Sequence, residues 1–252
     1  MRLSVVIPAY NEEATIETLL KRVSAQKFAD VEMEVIVVDD GSVDETRNIL
    51  NENDDLYDRL ILRSSNGGKG AAVRDGLEAA TGDYVLFQDA DLEYDPKEYG
   101  KLLVPVREQR ADAVIGSRHL APSYVRVHYF WHLVGNRLIT LIFNAFNNLT
   151  FTDIYSCYLM YRRELVNPAE LKSDGWAQHA EILGLVARRG RKRASGRLAR
   201  RIGNQEQWER QWLSCTAECG PRIWFAAWER ASRAARRASR RWRFAWCWER
   251  QG

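Results

Sequence analysis

The chain has 252 residues, enough for one large domain with a sizeable core, or one domain and an appendage. Its net charge of +3 says little about partners, because residues 190–252 hold 16 Lys and Arg against 5 Glu, a net of +11, which leaves −8 on residues 1–189. Four scattered cysteines, Cys157, Cys215, Cys219 and Cys247, make no disulfide framework, and Cys215-x-x-x-Cys219 lacks the second Cys/His pair that a zinc site needs. A reducing, cytosolic compartment is expected, with no signal peptide and no membrane-spanning helix.

Leu3-Ser4-Val5-Val6-Ile7, stopped by Pro8, predicts a buried first strand. Asn11 to Ser24 reads as a helix, with Ile16, Leu19, Leu20 and Val23 on one stripe and acids early. Val35–Val38 is a second buried strand ending in Asp39-Asp40-Gly41. Ser42-Val43-Asp44-Glu45 has the form of a capping box opening a helix to about Leu50. Leu60–Leu62 is a short strand, and Asn66-Gly67-Gly68-Lys69-Gly70 is a tight loop before a helix from Ala71 to about Ala80. A fourth strand, Tyr84–Gln88, runs into Asp89-Ala90-Asp91-Leu92-Glu93. After Asp95-Pro96 come a helix to about Arg110 and a strand at Ala113–Gly116.

Strand and helix alternate, and the strands are continuous apolar runs, which predicts a mostly parallel sheet covered on both faces. Ligands bind such sheets outside the carboxyl ends of the strands. The chain places acids there: Glu12 beside Tyr10, then Asp39 and Asp40, then Asp89 and Asp91. Residues i and i+2 of an extended chain point the same way, so Asp89 and Asp91 can face one Mg²⁺ or Mn²⁺ ion, and Glu93 extends the row. A dinucleotide-binding oxidoreductase is a poor fit, because the first turn, Pro8-Ala9-Tyr10-Asn11-Glu12-Glu13, has no glycine. The Asn66–Gly70 loop reads either as a phosphate contact through Lys69 or as a turn that allows close helix packing.

The stretches Val5–Glu12, Val37–Ser42, Asn66–Gly70 and Asp89–Leu92 together resemble the family 2 inverting glycosyltransferases of the GT-A fold. Gly116-Ser117-Arg118 and Thr152-Asp153-x-x-Ser156-Cys157-Tyr158 are similar to the branch of dolichyl-phosphate mannosyltransferase and other polyprenyl-phosphate hexosyltransferases. The resemblance implies that Pro8, Tyr10 and Glu12 line the base and ribose pocket, with Asp39 on the base or ribose and Asp40 shaping the turn. It implies that Lys69, Asp89, Ala90 and Asp91 belong to the donor site, with Asp89, Asp91 and Glu93 at the metal. Arg118, and more weakly Arg126, would meet the acceptor phosphate. The implied partners are a nucleotide sugar (GDP-mannose or UDP-glucose), a polyprenyl phosphate and a membrane surface, with no nucleic acid. The implied location is peripheral, at the cytoplasmic face.

Tyr124 to Leu149 carries Val134, Leu138, Leu141, Ala145 and Leu149 at helical spacing, so residues 124–150 read either as an interfacial amphipathic segment or as a helix packed on the core. Residues 1–190 then form the catalytic domain. The tail, 191–252, is Arg/Trp-rich, with seven of the nine Trp and only Leu198, Ile202, Leu213 and Ile223 as branched aliphatics. Either the natural reading frame is lost near Arg191-Lys192 and the tail is mostly disordered, or the tail is an arm for anionic lipid or nucleic acid.

Overall fold

The structure, a computed structural model, describes residues 1–116, 130–175, 177–192 and 198–200. Arg118, Arg126, Cys215, Cys219, Cys247 and nearly all of the basic tail lie outside the described residues, as does the whole second compact unit, residues 203–252.

The strands are β1 (Arg2–Ala9), β2 (Glu32–Asp39), β3 (Arg59–Leu62), β4 (Tyr84–Phe87), β5 (Ala113–Ile115), β6 (Leu159–Arg162) and β7 (Leu198–Arg200). They form one sheet in the order β3-β2-β1-β4-β6-β5-β7. β3, β2, β1 and β4 are mutually parallel. β6 runs antiparallel to both β4 and β5. The helices are α1 (Ile16–Ser24), α2 (Thr46–Glu52), α3 (Lys69–Ala79), α4 (Tyr99–Gln109), α5 (Phe130–Asn147) and α6 (Ala177–Lys192).

The apolar runs are explained by two cores, one on each face. Successive strand residues point to opposite faces, so Leu3, Val5 and Ile7 of β1 meet Ile16, Leu19 and Leu20 of α1 and Leu102 and Leu103 of α4. Val6, between them, turns the other way, to the core formed with Val73 and Leu77 of α3 and Ile182 and Val186 of α6. Burial on both faces removes the alternation of polar and apolar residues that a half-exposed sheet shows.

Three local expectations change. The early part of the first helix is a turn: Asn11 is left-handed (φ 55), and the regular helix starts at Ile16. The capping box does not form. The Ser42 hydroxyl accepts from the Asn11 amide across the loops at 3.0 Å, while Asp44 Oδ1 takes the Thr46 amide at 3.0 Å. β6 is a strand absent from the sequence reading: its short apolar run, Leu159-Met160-Tyr161, follows Tyr158 without a turn signal. Pro8 is tolerated inside β1 for a geometric reason. The β4 ladder ends where the Gln88 amide meets the Val6 carbonyl, so the missing N–H of Pro8 falls beyond it.

Candidate active site

From β1 the chain moves to β2 on one side and β4 on the other. This reversal opens a crevice at the carboxyl ends of the strands, where open α/β sheets bind ligands. Three loops meet that end: residues 10–13 after β1, 40–46 after β2 and 88–95 after β4.

The first two loops are stitched together by five hydrogen bonds. The Asn11 amide donates to Ser42 Oγ (3.0 Å), the Val43 amide to Asn11 Oδ1 (3.0 Å), and the Glu12 amide to Thr46 Oγ1 (2.8 Å). The Glu13 amide donates to Asp44 Oδ2 (3.3 Å), and the Glu45 amide to Glu13 Oε2 (3.1 Å). The stitched pair presents Tyr10 and Val43 to solvent, Val43 with 85% of its surface exposed. The Glu12 carboxylate accepts from Thr15 Oγ1 at 2.7 Å, and Pro8 is half-buried at the strand end.

Asp39 and Asp40 are both buried, with different duties. Asp39 takes the Arg47 Nε at 2.5 Å and the Ser42 amide at 3.2 Å. Asp40 accepts from the amides of Gly67 (3.0 Å) and Gly68 (2.8 Å), with Arg63 Nε at 3.4 Å. The glycine loop therefore gives two of its amides to Asp40, and the Gly70 amide goes to the Asp174 carbonyl at 2.7 Å. The amides point into the protein, so of the two readings of this loop its backbone fits close packing. Lys69 alone reaches out of it, placing Nζ 2.5 Å from Asp89 Oδ1. Burial works to lower the Lys69 pKa, but the bonded Asp89 carboxylate, with Asp91 behind it, holds it above the ordinary lysine value.

The turn after β4 is fixed at both ends. The buried Gln88 side chain donates to the carbonyls of Asp89 (2.9 Å) and Tyr94 (3.2 Å) and accepts from the Tyr99 hydroxyl (2.8 Å). The Tyr94 hydroxyl accepts from the Cys157 amide at 3.1 Å, and its ring lies 4.7 Å from that of Tyr158. Inside the turn Ala90 is buried, Asp91 and Glu93 are exposed, and Leu92 is left-handed (φ 60). That conformation is uncommon for a non-glycine residue and is typical of functional turns. Asp91 Oδ1 accepts from the Glu93 amide at 3.0 Å. Among the described residues no three His, Cys, Asp or Glu side chains converge as a metal cage. Asp89 and Asp91 remain two hard oxygen donors at one strand end, a set that suits an ion completing its shell with water and phosphate.

Several neighbours had no legible signal in the sequence, Gln88, Arg47, Thr46 and His179, while Cys157 was legible only as part of the 152–158 motif. Burial pushes the Cys157 pKa well up, and the charge of Asp89 adds to this, so the thiol stays protonated. His179 lies near Lys69, Asp89 and Asp153. Burial lowers its pKa to about 4, so the ring is neutral, and its Nε2 is buried with no hydrogen-bond partner among the described residues. Asp153 is buried and accepts from Asn136 Nδ2 (3.2 Å) and the Tyr155 amide (3.1 Å). Both Glu181 oxygens are taken by the amides of Lys172 and Ser173.

The polarity of α5 is partly inverted relative to an ordinary surface helix, although Phe143 still packs on the core and against Phe151. Asn136, Thr140 and Asn144, each four residues apart, face the protein: Asn136 bonds Asp153, Thr140 is buried, and Asn144 pairs with the backbone of Phe151 at 2.7 and 2.9 Å. Leu138, Leu141, Ile142 and Phe146 face outward, Leu141 with 65% and Phe146 with 87% of their surface exposed. Among the described residues no helix is long and apolar enough to cross a membrane.

Comparison with known proteins places this geometry. The model of the family "Glycosyl transferase family 2" matches residues 4–168. A dolichol-phosphate mannosyltransferase from Pyrococcus furiosus is 31% identical over 186 residues, 73% of this chain and 52% of the relative. An undecaprenyl-phosphate 4-deoxy-4-formamido-L-arabinose transferase from Proteus mirabilis is 33% identical over 171 residues, 66% of this chain and 50% of the relative. The chain thus spans about half the length of the curated relatives it matches. Glucosyl-3-phosphoglycerate synthase from Mycobacterium tuberculosis, solved with Mn²⁺, UDP and glucosyl-3-phosphoglycerate, superposes with a TM-score of 0.59 at 23% identity, covering 79% of this chain and 68% of that one. S. aureus TarS with UDP-GlcNAc gives a TM-score of 0.55 at 21% identity, covering 81% and 57%. These two likenesses show the fold, which is GT-A.

Proposed function

The chain belongs to glycosyl transferase family 2, and from that premise we propose that it transfers a hexose, mannose before glucose, from a nucleoside diphosphate sugar to a polyprenyl phosphate with inversion. The observation that carries the reading is the Asp89–Asp91 turn at the strand reversal, with Lys69 bonded to its first carboxylate. The names of the curated relatives support a polyprenyl phosphate as the acceptor class.

Roles follow from position. Tyr10, Glu12 and Pro8 flank the base and ribose, with Asp39 behind them, and Asp40 sets the turn. Asp89, Asp91 and Glu93 are the residues that would hold a Mg²⁺ or Mn²⁺ ion. When bound, such an ion neutralises charge on the departing nucleoside diphosphate. Lys69 brings a positive charge beside the same carboxylate and, with such an ion, would attract the negative diphosphate. Ala90 is the small buried residue between the two acids. Arg118, outside the described residues, is the proposed acceptor-phosphate contact, with Arg126 as its companion.

An anionic phosphate acceptor needs no general base to become a nucleophile, and positioning carries the rate. A hydroxyl acceptor would need one. The two carboxylates at hand for that task are engaged: Glu181 by two backbone amides, Asp153 by Asn136 and Tyr155. This favours the phosphate.

The outward apolar stripe of α5 is the proposed membrane contact. Residues 113–152 contain no Asp or Glu and include Arg118, Arg126 and Arg137, in a body that is otherwise acidic. A stripe of this kind fits an anionic lipid surface, and we place the protein peripherally at the cytoplasmic face. The test is transfer of radiolabel from GDP-mannose or UDP-glucose, with Mn²⁺, into organic-extractable polyprenyl phosphate. Label released only as free sugar, or transferred only to a soluble acceptor, would overturn the assignment. Nucleotide binding without any turnover would point to an inactive sugar-nucleotide-binding protein.

A further inference from the structure

We propose that Asn136 is a positioning residue which, through the segment Asp153–Cys157, ties the seating of α5 to the Asp89 turn; the inference rests on the reading of that turn as the donor site. The path is continuous in hydrogen bonds and short stretches of chain. Asn136 Nδ2 donates to Asp153 Oδ1 at 3.2 Å, and the same oxygen accepts the Tyr155 amide at 3.1 Å, fixing the start of the segment. Its far end is held by the Cys157 amide, which donates to the Tyr94 hydroxyl at 3.1 Å. Tyr94 is in turn held by Gln88 at 3.2 Å. One end of the segment therefore rests on the helix with the outward apolar face, and the other on the turn that carries the carboxylate bonded to Lys69.

The burial pattern argues that this seam is built for a purpose other than stability. Asn136 Oδ1, Thr140 Oγ1 and Ser156 Oγ are buried with no hydrogen-bond partner among the described residues. An apolar seam would avoid that desolvation cost. A polar one gives a directional joint, which an apolar contact cannot. It also turns the apolar residues of α5 outward, so the position of the outer face and that of the joint are set by the same helix.

The experiment is hydrogen–deuterium exchange on the whole chain, with and without phosphatidylglycerol vesicles, comparing wild type, Asn136→Leu and Asn136→Gln. Losing the joint should speed exchange of peptides covering residues 88–95 by roughly fivefold, as expected for opening after loss of one hydrogen bond. Peptides of β1 and β2 should be unchanged, and Asn136→Gln should recover most of the effect. In wild type, vesicles should slow exchange at 88–95, and in Asn136→Leu they should not. If Asn136→Leu does not fold, Asn136→Ser serves, since its side chain is too short to reach Asp153. A variant that speeds exchange only within α5 and residues 152–155 has a local structural role, and the proposal is overturned. The measurement uses no substrate, so failure of turnover bears on the proposed reaction alone.

Discussion

Gly70→Ala asks how tightly the glycine loop is clamped. Gly70 is the second residue of α3, and a Cβ there would stand 2.4 Å from the Ser173 carbonyl oxygen and 2.8 Å from that of Asp174. Both are backbone atoms, so no flexible side chain can give way. Nor can the 173–174 segment retreat easily, since Glu181 holds the Ser173 amide at 3.0 Å. Helix propensity favours alanine by about 1 kcal/mol. Overpacking costs about 1–3 kcal/mol, and pushing the Gly70 amide off the Asp174 carbonyl adds about 1 kcal/mol. The clash wins, with a net loss of about 1–3 kcal/mol, or roughly 3–10 °C in Tm for a domain of this size. Urea denaturation and differential scanning calorimetry read it directly. Gly184→Ala, inside α6 with nothing within 4 Å of its Cβ, is the control and should stabilise by about 0.5–1 kcal/mol. Nucleotide-sugar affinity should also fall in Gly70→Ala, because Lys69 is the adjacent residue. A Gly70→Ala protein as stable as wild type would show that the loop and the 173–174 segment are not in contact, and the account of the glycines would fail.

Asp91→Asn and Asp89→Asn should each abolish transfer while leaving the circular dichroism spectrum intact, and near-normal turnover in either would remove the turn from the mechanism. Double substitution Leu141→Glu and Phe146→Glu should cut co-sedimentation with phosphatidylglycerol vesicles about tenfold or more with little change in Tm, since both side chains already face solvent. Burial alone would raise the Glu34 pKa, but hydrogen bonds from Ser4 and Thr81 and the nearby Arg2 hold it below the ordinary value. Its contribution is present above the unfolded-state value and lost as pH falls through the folded one, so Glu34→Gln should flatten the acid limb of a Tm–pH curve. His179 has a different cause and the same sign: burial holds its folded pKa at about 4, below the ordinary value of 6.5, so the unfolded chain binds the extra proton between them. Stability should therefore rise with pH across that window, and His179→Gln should remove part of the slope.

The sheet was readable because each strand is buried on both faces, and Val35–Val38 or Tyr84–Phe87 admits no other assignment. The acids were readable because they follow those runs. What could not be read was direction. Ser42 has the chemistry of a cap, yet its hydroxyl faces Asn11, because the loop after β1 arrives beside it. The Gly67 and Gly68 amides could serve a phosphate or a carboxylate, and only the fold brings Asp40 to them. β6 reverses the sheet order from a short apolar run, since strand order is set by distant pairings. The period of α5 was visible, but which of its faces meets the protein depends on Asp153 and Phe151, neither of which is on the helix.

The five bonds between the loops after β1 and β2 have a bearing on engineering. Residues 10–13 exchange their cross-loop hydrogen bonds in register with 42–46, so a foreign segment at either place would have to reproduce that register. The smallest exchangeable cassette is the pair, moved together with Thr46. A library that varies Tyr10 and Val43, the two tips that carry no side-chain share of the stitching, while holding Asn11, Glu13, Ser42, Asp44 and Thr46 constant would explore recognition without first breaking the frame that presents it.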